Sequence, residues 1–308
     1  MKKILKANLF GMIVIILMIV LSITIQPLML NANVPLFSSV AIMQILGFFL
    51  PVVVYLLASK ENAKNTLKLN KLPLKDIPLL ILLSIACQPM IMGLSGISSL
   101  ISPNSFSNVM INPVSETSMV LTIFFIGLVP AIFEELVYRG VILSGYDNAN
   151  IKTAALFSGL YFAYMHLDIQ RLLYTLALGI LFGYLVRITK SIYSSMICHF
   201  LVNSIQMVYL KIMLSRHEEM ISAAESATDS AALGIGTILI FVAMIVVGVL
   251  LVKLVIGGLK KNHKLDYVES NENNIGEKPV NWPFIVTTII FVAIVILNYM
   301  VLSQANAG

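Results

Sequence analysis

The chain has 308 residues, 58% of them hydrophobic and 11% charged, with a formal net charge of +5 and a mean hydropathy of +0.93. Soluble domains sit near about 45–50% apolar and about 25% charged, so a soluble fold is excluded. The apolar runs are continuous and not alternating, which excludes a membrane β-barrel. The positive surplus is spread between those runs, where it sets topology and marks no nucleic-acid surface. What remains is an all-α, polytopic transmembrane bundle of eight or nine spans, forming a single integral membrane domain over 1–308 with any active site buried between its central helices. Cys87 and Cys198 fall inside apolar runs without metal-ligand spacing and read as small buried hydrophobes.

Met1-Lys2-Lys3 precedes a first apolar run from Ala7 to Leu30. It exceeds the roughly 7–15 residues of a signal-peptide core, and Asn31-Ala32-Asn33 makes a poor cleavage site, so a retained helix is expected. A second span runs from Phe37 to Ala58, with a kink expected at Pro51. The connector from Lys60 to Asp76 carries Lys60, Lys64, Lys68, Lys71 and Lys75 and suits the membrane surface. Span three covers Ile77 to Ile101, with Gly93 and Gly96 allowing close helix contact. Ser102 to Glu116 is polar without Lys or Arg. Span four, Thr117 to Leu143, holds Glu134 and Glu135 in its second half.

Span five, Lys152 to Leu167, is short against the roughly 20 residues that normally cross. Span six, Leu172 to Val186, offers Gly179-xxx-Gly183 as a packing face. Span seven runs from Ser191 to Leu214 and span eight from Leu233 to Leu259. A charged linker then leads to Trp282, an interface anchor, and to span nine, Phe284 to Leu302. With the N-terminus inside, only Arg171, Lys211 and Arg216 among the 20 basic residues fall outside. That asymmetry predicts a cytoplasmic N-terminus in the cell membrane.

Two adjacent carboxylates in an apolar run cost about 2.5–3.5 kcal/mol each, so something must pair with them or use them. Glu135 and Arg139 are four apart with the acid first, the favourable order for a helical ion pair. Glu134 lies about 100° further round and points elsewhere. His166 follows Phe162 by one helical turn, and His199 and Asn203 share a face of span seven. Amide hydrolysis needs a base that activates water and donors that stabilise a tetrahedral oxyanion. Glu134 with His166 suits the first task, and His199 with Asn203 the second. The set Glu134, His166 and His199 equally suits Zn2+ with a water in its open position. His217 and His263 lie in polar connectors and are given no role. Gly140 is expected to ease packing beside Arg139. Tyr138, Tyr161, Tyr164 and Tyr174 either line the cavity or pack as aromatic core, the second being the expectation, and Asp168 with Arg171 is expected to form a surface pair.

Glu-Glu-xxx-Arg at 134–139, Phe-xxx-His at 162–166 and His-xxx-Asn at 199–203, in that order on separate spans, resemble the CPBP family of CAAX prenyl proteases and bacteriocin-processing or self-immunity (Abi-type) proteins. The resemblance covers Met119 to Leu214 and implies an intramembrane endopeptidase whose catalytic core is 117–214. It implies that Glu134 and His166 activate water and that His199 and Asn203 form the oxyanion hole, with Glu135 in the catalytic set and Arg139 and Phe162 in support. No cofactor is expected, because a His-Glu-xx-His zinc helix is absent and Asn203 suits an oxyanion better than zinc; Zn2+ is the alternative. The implied partners are a peptide or membrane-protein substrate and the lipid bilayer. A bacteriocin-type leader or a peptide-signal precursor is the expected substrate. Two other classes remain: a proton-coupled transporter, which the lack of an evident inverted repeat disfavours, and a non-proteolytic membrane scaffold or regulator.

Overall fold

The computed structural model describes residues 2–101, 113–216, 234–264 and 277–305. His217 and most of the polar stretch 102–116 lie outside them. Nine long helices occupy the described residues: α1 (Lys3–Asn31), α2 (Leu36–Ser59), α3 (Leu74–Ser99), α4 (Met119–Gly145), α5 (Ile151–Met165), α6 (Ile169–Thr189), α7 (Ile192–Ser215), α8 (Ile235–Asn262) and α9 (Trp282–Ala305). All but α5 are long and apolar enough to cross a membrane. The chain is a multi-pass helical membrane protein.

The helix ends follow from local chemistry. Asn150 caps α5 by accepting from Thr153 N at 2.8 Å, and Asp168 caps α6 by accepting from Gln170 N at 2.9 Å. Lys60 and Lys190 stop α2 and α6 in the left-handed region, both at φ 56°. Proline shapes the interiors. Pro51 and Pro130 each come one residue after a stretch of π-helix, Ile45–Phe49 in α2 and Ile123–Leu128 in α4. A proline has no N–H and crowds the carbonyl four residues back, and an extra residue in the preceding turn relieves both. The kink expected at Pro51 is therefore a widened turn. A further π stretch, Leu136–Ile142, leaves Glu134 and Glu135 on a short regular segment between two widened ones.

α5 has 15 residues, about 22 Å of helix against a hydrocarbon core of about 30 Å. It survives as half of an antiparallel hairpin with α6. A Cβ on Gly159 would stand 2.7 Å from Ile180 N, and one on Gly183 3.1 Å from Ala155 Cα, so the small-residue face of α6 carries this contact. The turn at 166–168 stops near Asn298, about 24 Å along α9 from Trp282. Its carbonyls are satisfied by protein: Arg171 Nη2 donates to His166 O (3.2 Å) and Asn298 Nδ2 to Leu167 O (3.0 Å). Irregular backbone at membrane depth persists only under such conditions. Asn298→Leu is expected to cost about 1–3 kcal/mol, read as a lower melting temperature in detergent.

The opening of α1 and the approach to α9 share one end of the bundle. Lys3 N and Ile4 N donate to the two Glu277 carboxylate oxygens, each at 2.8 Å, and Asn8 Nδ2 donates to Pro279 O. His263, given no role above, has a structural one: its Nε2 lies 2.7 Å from Asp76 Oδ2, and Asn262 Nδ2 donates to Asp76 Oδ1, tying the end of α8 to the start of α3. Gly93 serves as expected, since a Cβ there would stand 2.6 Å from Phe241 O on α8. Gly140 faces Leu67 at similarly close range. Cys87 and Cys198 are buried and free.

Candidate active site

Glu135 and Arg139 sit fully buried one turn apart on α4. Arg139 Nη1 donates to Glu135 Oε1 at 2.7 Å, and its Nη2 donates to Gly179 O on α6 at 3.1 Å. The guanidinium also lies 4.5 Å from the ring centre of Phe162 and 5.3 Å from that of Phe182, a cation–π arrangement that keeps a charge in an apolar interior. Glu135 Oε1 takes a second hydrogen bond from His199 Nδ1, at 2.9 Å. A carboxylate only accepts, so Nδ1 carries the proton and the polar function of the ring's outer edge falls to Nε2.

Glu134 faces elsewhere, as the helical offset requires. Its Oε1 accepts from Gln44 Nε2 on α2 at 2.8 Å, and its Oε2 stands 4.0 Å from His199 Nε2. His166, at the end of α5, donates from Nδ1 to Phe162 O at 2.9 Å, which again leaves Nε2 as the working nitrogen. Phe162 meets both histidines edge-on, with ring centres 5.1 Å from His166 and 5.7 Å from His199. Asn203 Nδ2 donates to Ile126 O at 3.1 Å. That carbonyl lies four residues before Pro130, which has no N–H to offer it.

Glu134, His166, His199 and Asn203 line one cavity of about 270 Å³ between the helices, room for several waters. Phe162 lies on its wall, while Glu135 and Arg139 lie behind it and reach it through His199. Sequence reasoning passed over Gln44, Gln206 and Thr175, which also line this cavity. Gln44 was detectable in principle, as a lone amide in the apolar run Ile42 to Phe49. One expectation needs correction. Asp168 and Arg171 do pair, at 3.0 Å, but Arg171 lines the cavity and is only 21% exposed, so the pair is not a surface one. The pair is half-buried because the hairpin turn ends beside the cavity. Tyr138, Tyr161 and Tyr164 pack into the core, and Tyr174 both packs against it and lines the cavity.

Among the described residues no three His, Cys, Asp or Glu side chains are disposed to hold a metal ion. The ring nitrogen Nδ1 of each histidine is engaged, one by Glu135 and the other by a backbone carbonyl, which leaves Nε2 of each ring for the cavity.

Residues 116–205 match the family described as Rce1-like, type II CAAX prenyl endopeptidase. The "Putative membrane peptidase YdiL" of Bacillus subtilis (strain 168) is 32% identical over 85 residues, 27% of this chain and 35% of that protein. Through this segment the chain is similar to a family of membrane endopeptidases. The matched segment holds all three motifs, from Glu134 to Asn203, and leaves α1, α2, α3, α8 and α9 outside. The chain thus aligns with little more than a third of that relative's length. No solved structure matches the chain. Gln44, the hydrogen-bond partner of Glu134, is contributed from outside the matched segment.

Proposed function

We propose that this protein is an intramembrane endopeptidase in which Glu134 activates a water for attack on a peptide bond. The observation that carries the reading is the cavity itself, where Glu134 of α4, His166 at the end of α5, and His199 and Asn203 of α7 converge. Glu134 takes a proton from the water, the hydroxide adds to the scissile carbonyl, and the same proton passes to the leaving amine. His166 Nε2 accepts from the water and orients it. Gln44 holds the carboxylate in place, and its own Oε1, buried without a hydrogen-bond partner, remains to accept from water or substrate. Asn203 retains one amide hydrogen beyond its bond to Ile126 O and offers it to the oxyanion. His199 turns Nε2 to the same place, its ring held from behind by the bond between Nδ1 and Glu135. No step runs through a metal.

The bundle end that gathers Lys3, Lys6, Lys68, Lys190 and Lys260 is taken as the cytoplasmic one. Glu134 then lies about 16 Å from it along α4, near the bilayer centre. Water must reach that depth through the cavity, and the substrate must enter sideways from the lipid. A membrane-associated peptide, such as a bacteriocin-type leader or a peptide-signal precursor, fits this route.

The test is cleavage of a quenched-fluorescent peptide library by the purified protein in detergent, wild type against Glu134→Ala, each with and without a strong chelator. Cleavage that is lost in the variant and survives chelation is expected. Loss on chelation would return the site to zinc, and no difference between wild type and variant would leave the scaffold reading. In the same assay Gln44→Leu is expected to lower kcat about 10- to 100-fold, the worth of one hydrogen bond to a charged group.

A further inference from the structure

On the side of α1 and α2 turned away from the active-site cavity, an apolar groove of about 680 Å³ opens toward the bilayer. Leu9, Ile13 and Leu17 of α1 face Leu46, Leu50 and Val54 of α2 across it, and Ile13, Leu50 and Val54 are about half exposed. The groove runs from Lys6 to Leu21, about 22 Å along α1, and so spans the hydrocarbon depth of one leaflet, about 15 Å. Solvent-facing apolar side chains are ordinary in a membrane helix; the end of this groove is not.

At Lys6 the groove meets a polar cavity of about 290 Å³, whose walls include Lys3, Lys6, Lys68, Asn62 and Asn65. Lys6 and Tyr55 line both spaces, the ammonium of Lys6 lying 5.0 Å from the Tyr55 ring centre. Lys6 pairs with Glu61 at 2.6 Å and Lys68 with Asp147 at 2.5 Å. The Lys3 ammonium belongs to neither pair, so among the described residues that line the cavity three lysines stand against two carboxylates, a positive surplus, while Glu277 is engaged by the Lys3 and Ile4 backbone N–H groups. No group of the catalytic set borders either space.

We propose that the groove and the polar cavity together form a binding site for one anionic phospholipid. An acyl chain lies between α1 and α2, and the phosphate meets Lys3 and Lys6 with the amides of Asn62 and Asn65 beside it. Basic pockets between transmembrane helices select anionic headgroups, at about 1 kcal/mol per lysine near the surface. The site has a bearing on the other face of the same two helices. Met18 of α1 and Gln44 and Phe48 of α2 line the active-site cavity, so a bound lipid braces the pair that presents Gln44. The binding proposal itself stands whether or not the protein cleaves peptides.

Native mass spectrometry of the detergent-purified full chain, titrated with dioleoylphosphatidylglycerol or dioleoylphosphatidylcholine, reads the site directly. Phosphatidylglycerol is expected to bind at least about fivefold more tightly. Lys3→Gln and Lys6→Gln are each expected to weaken phosphatidylglycerol about fivefold while leaving phosphatidylcholine unchanged, which also shows the variants to be folded. Val54→Trp, which fills the groove, is expected to weaken both lipids. Glycerol 3-phosphate, an anionic phosphate without acyl chains, is expected not to compete. Equal binding of the two lipids, a preference untouched by the lysine variants, binding untouched by Val54→Trp, or displacement by glycerol 3-phosphate would each overturn the site as drawn.

Discussion

Glu134→Gln is expected to abolish peptide cleavage, lowering kcat by about 100- to 10,000-fold, the usual contribution of a general base. The substitution is close to isosteric. Its amide oxygen still accepts from Gln44 Nε2, whose present bond to Glu134 is 2.8 Å, so the α2–α4 contact survives. What goes is the capacity to take a proton from water. The same change removes one of two adjacent carboxylates from an apolar interior, a relief and not a cost for folding. The melting temperature in detergent is therefore expected to stay level or rise while activity vanishes. A variant that loses activity and stability together would point to Glu134 as a packing residue. One that keeps cleaving would move the base elsewhere in the cavity. KM is expected to change little, because the lost interaction operates in the transition state.

The helices were legible because apolar runs of membrane-spanning length, punctuated by Asn, Asp and Lys, leave little choice of boundary. Span four was expected from Thr117 to Leu143 and forms α4, Met119–Gly145. The pairing of Glu135 with Arg139 was legible for a different reason: a charge in lipid needs a partner, and helical spacing supplied one. Three things were hidden. The π stretches depend on how Pro51 and Pro130 are accommodated, and either a kink or a widened turn satisfies the missing N–H. The depth of the α5–α6 turn depends on Asn298, which is 131 residues from Leu167 in sequence. Gln44 looked like an isolated polar residue, since its partner Glu134 is 90 residues away. Spacing rules see contacts within a helix; these contacts run between helices.

Arg139→Leu is expected to be the most damaging single change for folding, at about 3–5 kcal/mol, because it strands a buried Glu135 without its cation. It also removes the Arg139 Nη2 bond to Gly179 O and the guanidinium between Phe162 and Phe182. Arg139→Lys is expected to rescue only part of this, since an ammonium keeps the charge but cannot reach Glu135 and the carbonyl at once while stacking on the rings. The informative variant is the double one. A buried ion pair replaced whole by apolar side chains often costs nothing, so Arg139→Leu with Glu135→Leu is expected to regain most of the lost melting temperature. Activity is not expected to return with it, because His199 Nδ1 then has no carboxylate to fix the proton on that nitrogen and turn Nε2 to the cavity. Measuring both quantities on the four members of the cycle separates the two jobs of this pair. Recovery of stability without recovery of kcat assigns Glu135 to the positioning of His199. Recovery of both would make the pair a structural lock alone.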